Sequence, residues 1–127
     1  MTGTVSIFGL TLDNMRSTAT SPVTTDGGAI HIENGVVSID ASRIQNSTAA
    51  TDGGGVHIKH GFLHVSKTSI VGNTSTNWGG GIYNLDGFVT IRQSTVSGNS
   101  AGDGTEGIGG GIFAGGDGAT VALVNTT

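Results

Sequence analysis

Asp26, Asp52 and Trp78 stand at one phase of a 26-residue spacing (52 − 26 = 26; 78 − 52 = 26), and beside them His31, His57, Tyr83 and Phe113 form a second, outward column. If the spacing is a structural repeat of stacked strands, Asp26 and Asp52 lie one strand apart, roughly 5 Å. Two carboxylates so placed could hold Ca²⁺ or act as an acid/base pair. The simpler reading, preferred here, is that each caps the turn before Gly27 or Gly53, as Asp does before Gly. Flat rings beside carboxylates suit a sugar face. Again a simpler reading is preferred, a ring ladder that supports neighbouring strands. The ligand-binding candidates are therefore Asp26, Asp52, His57, Trp78 and Tyr83, with Asp13, Asp103 and Glu106 nearby. Asp26 and Asp52 are a weak calcium candidate. No catalytic residue, cofactor or established metal site is assigned. His57, His60 and His64 do not match a zinc spacing.

The elements that must position these residues are copies of one rung. Gly79-Gly80-Gly81-Ile82-Tyr83 returns 26 residues earlier (79 − 53 = 26) as Gly53-Gly54-Gly55-Val56-His57, and 26 before that as Gly27-Gly28-Ala29-Ile30-His31. A further copy, Gly109-Gly110-Gly111-Ile112-Phe113, follows after 30 (109 − 79 = 30). A fixed period in this range marks a solenoid, whose units bury their apolar faces only by stacking. Within a rung the apolar residues alternate and break at Gly or Asn, which is the period of strands. The expectation is three short strands per coil.

Stacking the coils predicts apolar columns: Ile30, Val56, Ile82, Ile112; Val5, Val37, Leu63, Val89, Val121; Ile7, Ile39, Val65, Ile91, Leu123; and Leu12, Ile44, Ile70, Val96. Asn73 and Asn99 predict an internal amide ladder with Ser47 at its third position. Glu33 and Lys59, also 26 apart, predict a surface ion pair worth little. Extra residues in Ser17–Thr25, which holds Pro22, and in Ser100–Ile108 fall at one phase, so both insertions should emerge on one edge. Asn46, Asn73 and Asn125 match the glycosylation acceptor pattern, which chance explains in so Asn- and Thr-rich a chain.

Bulk properties narrow the classes. The 127 residues allow one domain. With 5 Lys and Arg, scattered, and a net charge of −4, electrostatic nucleic-acid binding is not expected. Zero Cys removes disulfides and thiolate chemistry, and no apolar run approaches membrane-helix length, so no membrane insertion is expected.

The pattern Gly-Gly-Gly-Ile-(Tyr/Phe)-x-x-x-Gly-x-Val-x-Ile-x-x-Ser-x-Val-x-Gly-Asn resembles the right-handed parallel β-helix repeats of the pectin-lyase-like superfamily. It is most similar to those of large bacterial surface proteins with polymorphic outer-membrane-protein repeats, although their Phe-x-x-Asn companion motif is absent. The resemblance implies a right-handed coil. Polysaccharide hydrolases of this fold carry clustered Asp acids with Gly-His-Gly and Arg-x-Lys motifs, and its lyases carry calcium-binding Asp clusters; neither is found here.

The expected fold is all-β: a single right-handed parallel β-helix of about four coils over residues 1–127, without visible caps, and either a fragment of a longer solenoid or a chain whose ends meet another copy. The expected function is a non-enzymatic extracellular or cell-surface module for structure, display or adhesion. It would self-associate end to end through Val5, Ile7, Val121 and Leu123. The alternative is a polysaccharide-binding or polysaccharide-active β-helix that takes a cell-surface glycan.

Overall fold

The computed structural model describes residues 3–18, 26–102 and 107–127. Much of both predicted insertions, with Pro22, Asp103 and Glu106, lies outside these residues. The strands in chain order are β1 (Thr4–Phe8) and β2 (Thr11–Asp13); β3 (Ile30–Ile32), β4 (Val36–Asp40), β5 (Arg43–Gln45) and β6 (Thr48–Ala49); β7 (Val56–Ile58), β8 (Phe62–Ser66), β9 (Ser69–Val71) and β10 (Thr74–Ser75); β11 (Ile82–Asn84), β12 (Phe88–Arg92), β13 (Thr95–Ser97) and β14 (Ser100–Ala101); then β15 (Ile112–Ala114) and β16 (Thr120–Val124). Among the described residues there is no helix, and hence none long and apolar enough to cross a membrane.

Every strand pairs in parallel with its counterpart one repeat away. The strands form four parallel sheets, β1-β4-β8-β12-β16, β2-β5-β9-β13, β3-β7-β11-β15 and β6-β10-β14, rather than one continuous sheet. This is consistent with a β-solenoid. It corrects the expectation of three strands per coil, because the two-residue strands β6, β10 and β14 form a fourth. They are too short to show an alternation in the sequence.

The predicted columns are the observed register. Val37 pairs with Leu63, Leu63 with Val89 and Val89 with Val121; Ile44 pairs with Ile70 and Ile70 with Val96; Ile30 pairs with Val56, Val56 with Ile82 and Ile82 with Ile112. Ile44, Val56, Leu63, Ile70, Ile82 and Ile91 are fully buried in the apolar interior. A further inward column, Ile32, Ile58 and Asn84, joins them. Asn84 is fully buried and closes the following turn: its Nδ2 donates to Gly87 O (2.8 Å) and Thr120 O (3.1 Å), while its Oδ1 accepts from Gly87 N–H. At the outer strands burial is weaker. Val5 and Leu123 are more than half exposed, whereas Ile7 and Val121 pack against the interior.

Two kinds of turn repeat, and each supports a left-handed backbone residue with a polar ladder. Gly9, Ala41, Lys67, Gln93 and Asn125 share one phase and all have positive φ, although three of them are neither Gly nor Asn. Such residues resist that region, at about 1–2 kcal/mol. The next residue compensates by hydrogen bonding. The hydroxyls of Ser42, Thr68, Ser94 and Thr126 donate to the carbonyls of Asp40, Ser66, Arg92 and Val124 at 2.7–3.1 Å. Ser42 N–H then donates to Thr68 Oγ1, and Thr68 N–H to Ser94 Oγ.

The second turn carries the predicted amide ladder. Ser47 N–H donates to Asn73 Oδ1 (2.9 Å), and Asn73 Nδ2 donates to Ile44 O (3.1 Å) and Asn99 Oδ1 (3.0 Å). Asn99 Nδ2 in turn donates to Ile70 O (2.9 Å). Glycine makes room for it: a Cβ at Gly55 would lie 3.2 Å from Asn73 Nδ2, and one at Gly81 would lie 2.9 Å from Asn99 Nδ2. One repeat earlier the same two positions hold Ala29 and Ser47, a larger residue opposite a smaller one.

Candidate functional site

The glycine clusters set the edge on which the candidate residues gather. Gly27, Gly53, Gly79 and Gly109 have φ between 62° and 72° and turn the chain sharply into β3, β7, β11 and β15. The turns hydrogen-bond coil to coil: Gly27 N–H donates to Asp52 O (2.8 Å), Gly53 N–H to Trp78 O (3.0 Å) and Gly79 N–H to Ile108 O (3.1 Å). Asp26, Asp52 and Trp78 therefore do stack at one phase.

The two carboxylates reach along the stack to the next coil. Asp26 Oδ1 accepts from the Thr51 hydroxyl. Asp52 Oδ1 accepts from Trp78 N–H (3.2 Å). Neither bond is the cap within its own turn that the sequence reading preferred: the partner is a hydroxyl of the next coil for Asp26 and a backbone N–H of the next coil for Asp52. Burial raises the carboxyl of Asp52 above its ordinary value, with the charge of Asp26 adding to the effect.

His31 pairs with His57, His57 with Tyr83 and Tyr83 with Phe113. Their rings stack in sequence, with centroids 4.8, 5.0 and 5.4 Å apart and planes within 16° of parallel. The predicted ladder is present, but its middle is not exposed: His57 is 3 % and Tyr83 5 % accessible. Neighbouring rings cover both faces of each, and Trp78 covers more, stacking on Tyr83 at 6.2 Å and on Phe113 at 5.7 Å. Trp78 itself is 38 % exposed. Of the five ligand-binding candidates, it presents the largest surface to solvent.

Burial pushes the His57 imidazolium down to a pKa of about 4, against the opposing pull of Asp26, so the ring is neutral near pH 7. Its Nε2 lies 3.7 Å from Asp26 Oδ2, too far for a hydrogen bond, and its buried Nδ1 has no partner. Burial also raises the phenol of Tyr83, and the neighbouring Asp52, Asp26 and Asp86 add to the shift. Around His57 lies a cavity of about 170 Å³, lined by Asp26, Asp52, His31, His57 and Tyr83 on the column side and by Glu33, Lys59 and Leu85 at the rim. The predicted Glu33–Lys59 pair is formed at 2.6 Å, and Glu33 also lies 3.3 Å from His31 Nε2.

The sequence reading missed one grouping. Ligand atoms of Asp26, His31 and His57 all lie within 4.8 Å of one another. The two histidines share a phase, but Asp26 reaches them only through the path of the turn. Of the glycosylation matches, Asn73 is fully buried in the amide ladder, while Asn46 and Asn125 are exposed.

No curated protein and no solved structure matches the chain. Residues 67–85, which run from the Lys67 turn through β9, β10 and the Gly79–Gly81 cluster into β11, match the family model described as Chlamydia polymorphic membrane protein (Chlamydia_PMP) repeat, so over that segment the chain is similar to that repeat.

Proposed function

We propose that the chain is a non-enzymatic module of a bacterial cell-surface protein, a right-handed parallel β-helix that displays its glycine-rich edge outside the cell. The observation that carries this is the family match to residues 67–85, because the matched segment lies within the repeating pattern that runs through the rest of the chain. The interior supports a structural role: the buried Ser47, Thr68, Asn73, Asn84 and Ser94 serve in turns and ladders. Antibodies against the purified chain should label intact source cells, and external protease should remove the label. Labelling only after permeabilisation refutes surface display. Polygalacturonate incubated with the chain should yield neither reducing ends nor unsaturated products. Products that disappear with Asp52→Ala refute the non-enzymatic reading.

The exposed ring of Trp78, stacked on Tyr83 and Phe113 next to Asp52, favours a second reading in which this edge holds a polysaccharide or cell-surface glycan. End-on association extends the first reading. The edge strands β1 and β16 lie in one sheet, and Val5 and Ile7 share columns with Val121 and Leu123. A further coil, of the same chain or of another copy, would find that register. Stacked copies would form a filament, since such an interface is heterologous. Electron microscopy at rising concentration should show fibres that Val121→Lys abolishes. A chain that stays monomeric throughout refutes the association.

A further inference from the structure

We propose that Asp26, His31 and His57 bind one divalent transition-metal ion of the Zn²⁺ class, bridging two successive coils on the glycine-rich edge. Their ligand atoms lie within 4.8 Å of one another, and His57 Nε2 is 3.7 Å from Asp26 Oδ2. Two donors about 2.0–2.1 Å from a tetrahedral ion are roughly 3.4 Å apart. The His57–Asp26 pair is thus close to the required separation, and His31, on the solvent side, closes the set by turning out of its stack on His57, because a ring nitrogen's lone pair lies in the ring plane and the two planes are within 13° of parallel.

The state of His57 is the second observation. Its side chain is 4 % accessible, Nδ1 is buried without a partner, and Nε2 is beyond hydrogen-bond distance from Asp26 Oδ2. A buried polar ring held by stacking alone is unusual and calls for a reason. Behind His31, Glu33 lies 3.3 Å from Nε2 and is itself held by Lys59. Metal-bound imidazoles are commonly oriented by such an outer carboxylate.

The donor set and the space define the ligand class. Two imidazoles and one carboxylate suit Zn²⁺ and its transition-metal neighbours, whereas Ca²⁺ and Mg²⁺ prefer oxygen alone. Asp52, which a calcium pair with Asp26 would need, directs Oδ1 to Trp78 N–H. The cavity of about 170 Å³ has room for an ion and a few waters, at about 30 Å³ each. It is smaller than the roughly 300 Å³ at which pockets for organic ligands begin.

The test is calorimetric titration of the full chain, stripped with a chelator, using ZnCl₂ and then CaCl₂, alongside NMR of the imidazole nitrogens. The expected result is one Zn²⁺ per chain and no Ca²⁺ binding under the same conditions. The His31 and His57 nitrogens should shift, and those of His60 and His64 should stay in place. Zn²⁺ should raise the melting temperature of the parent. His31→Gln, a change near the surface, should weaken binding about 100-fold with the fold intact, and Asp26→Asn should do the same. His64→Gln should bind as the parent does. The proposal is overturned by absence of binding at millimolar Zn²⁺, by binding that survives both His31→Gln and Asp26→Asn, by shifts centred on His60 or His64, or by Ca²⁺ binding as tightly as Zn²⁺.

Discussion

Replacing Asn73 by Ala tests whether the interior is held by its amide ladder as well as by its apolar columns. Asn73 is fully buried. Its Oδ1 accepts from Ser47 N–H, and its Nδ2 donates to Ile44 O and Asn99 Oδ1. In Asn73→Ala, Asn99 Oδ1 keeps the Asn73 backbone N–H as a donor. Ser47 N–H loses its acceptor in a place where Ser47 has no accessible surface, whereas Ile44 O keeps its place in the β5–β9 ladder. Each buried group left unpaired costs about 1–3 kcal/mol. Removing the amide's own desolvation returns part of this and the lost packing adds to it, so the net loss should be about 1–3 kcal/mol. Asn73→Asp separates hydrogen-bond donation from side-chain size. It retains an acceptor for Ser47 N–H but sets a carboxylate against two oxygens, so at pH 7 it should be worse than Ala. Asn99→Ala, on the same ladder but half-buried where water can substitute, should cost about half as much as Asn73→Ala. Urea unfolding followed by far-ultraviolet circular dichroism gives the three midpoints at constant m. An Asn73→Ala midpoint within about 0.5 kcal/mol of the parent, or an Asn73→Asp variant as stable as Ala, would refute the reasoning.

Stability should also depend on pH through His57. Its folded pKa, about 4, lies below the unfolded value of 6.5, so the unfolded chain binds more protons between them. The contribution is complete above pH 6.5 and is lost as pH falls towards 4, on the order of 3 kcal/mol in all. Asp13 and Glu33, whose carboxyls are lowered chiefly by hydrogen bonds from Asn46 and Lys59, act in a separate window at and below the ordinary carboxylate range. Urea midpoints at pH 7.5, 5.5 and 4.5 should fall steeply for the parent and less for His57→Gln; parallel slopes would exclude His57 as the cause. Ile70→Ala, at a fully buried position between Ile44 and Val96, should cost about 2–5 kcal/mol, whereas Thr90→Ala, outside the apolar columns, should stay within about 0.5 kcal/mol. Trp78→Ala should lower stability by about 1–2 kcal/mol through lost stacking on Tyr83 and Phe113. A melting temperature unchanged by Trp78→Ala would show that the indole is not part of the ring ladder.

The sequence by itself determined the apolar columns and the register. In a parallel stack the repeat length is the register, so residues 26 apart, such as Ile44 and Ile70 or Glu33 and Lys59, must be neighbours. It determined the Asn73–Asn99 ladder for the same reason. It did not disclose the strands at Thr48–Ala49, Thr74–Ser75 and Ser100–Ala101, because two residues carry no alternation. Nor did it disclose the left-handed turns at Ala41, Lys67 and Gln93, where no Gly or Asn announces them. The hydroxyl ladder through Ser42, Thr68 and Ser94 keeps the period but is lost among the many other Ser and Thr residues. Only the tertiary structure decided what the ring column became. Alternation places His57 and Tyr83 outside the apolar interior, yet both are buried, because each ring is covered by the ring of the coil on either side. It alone brought Asp26 to His31 and His57, since a period fixes which residues share a phase but not how far apart two phases lie across a turn; that distance is set by the path of the backbone through Gly27.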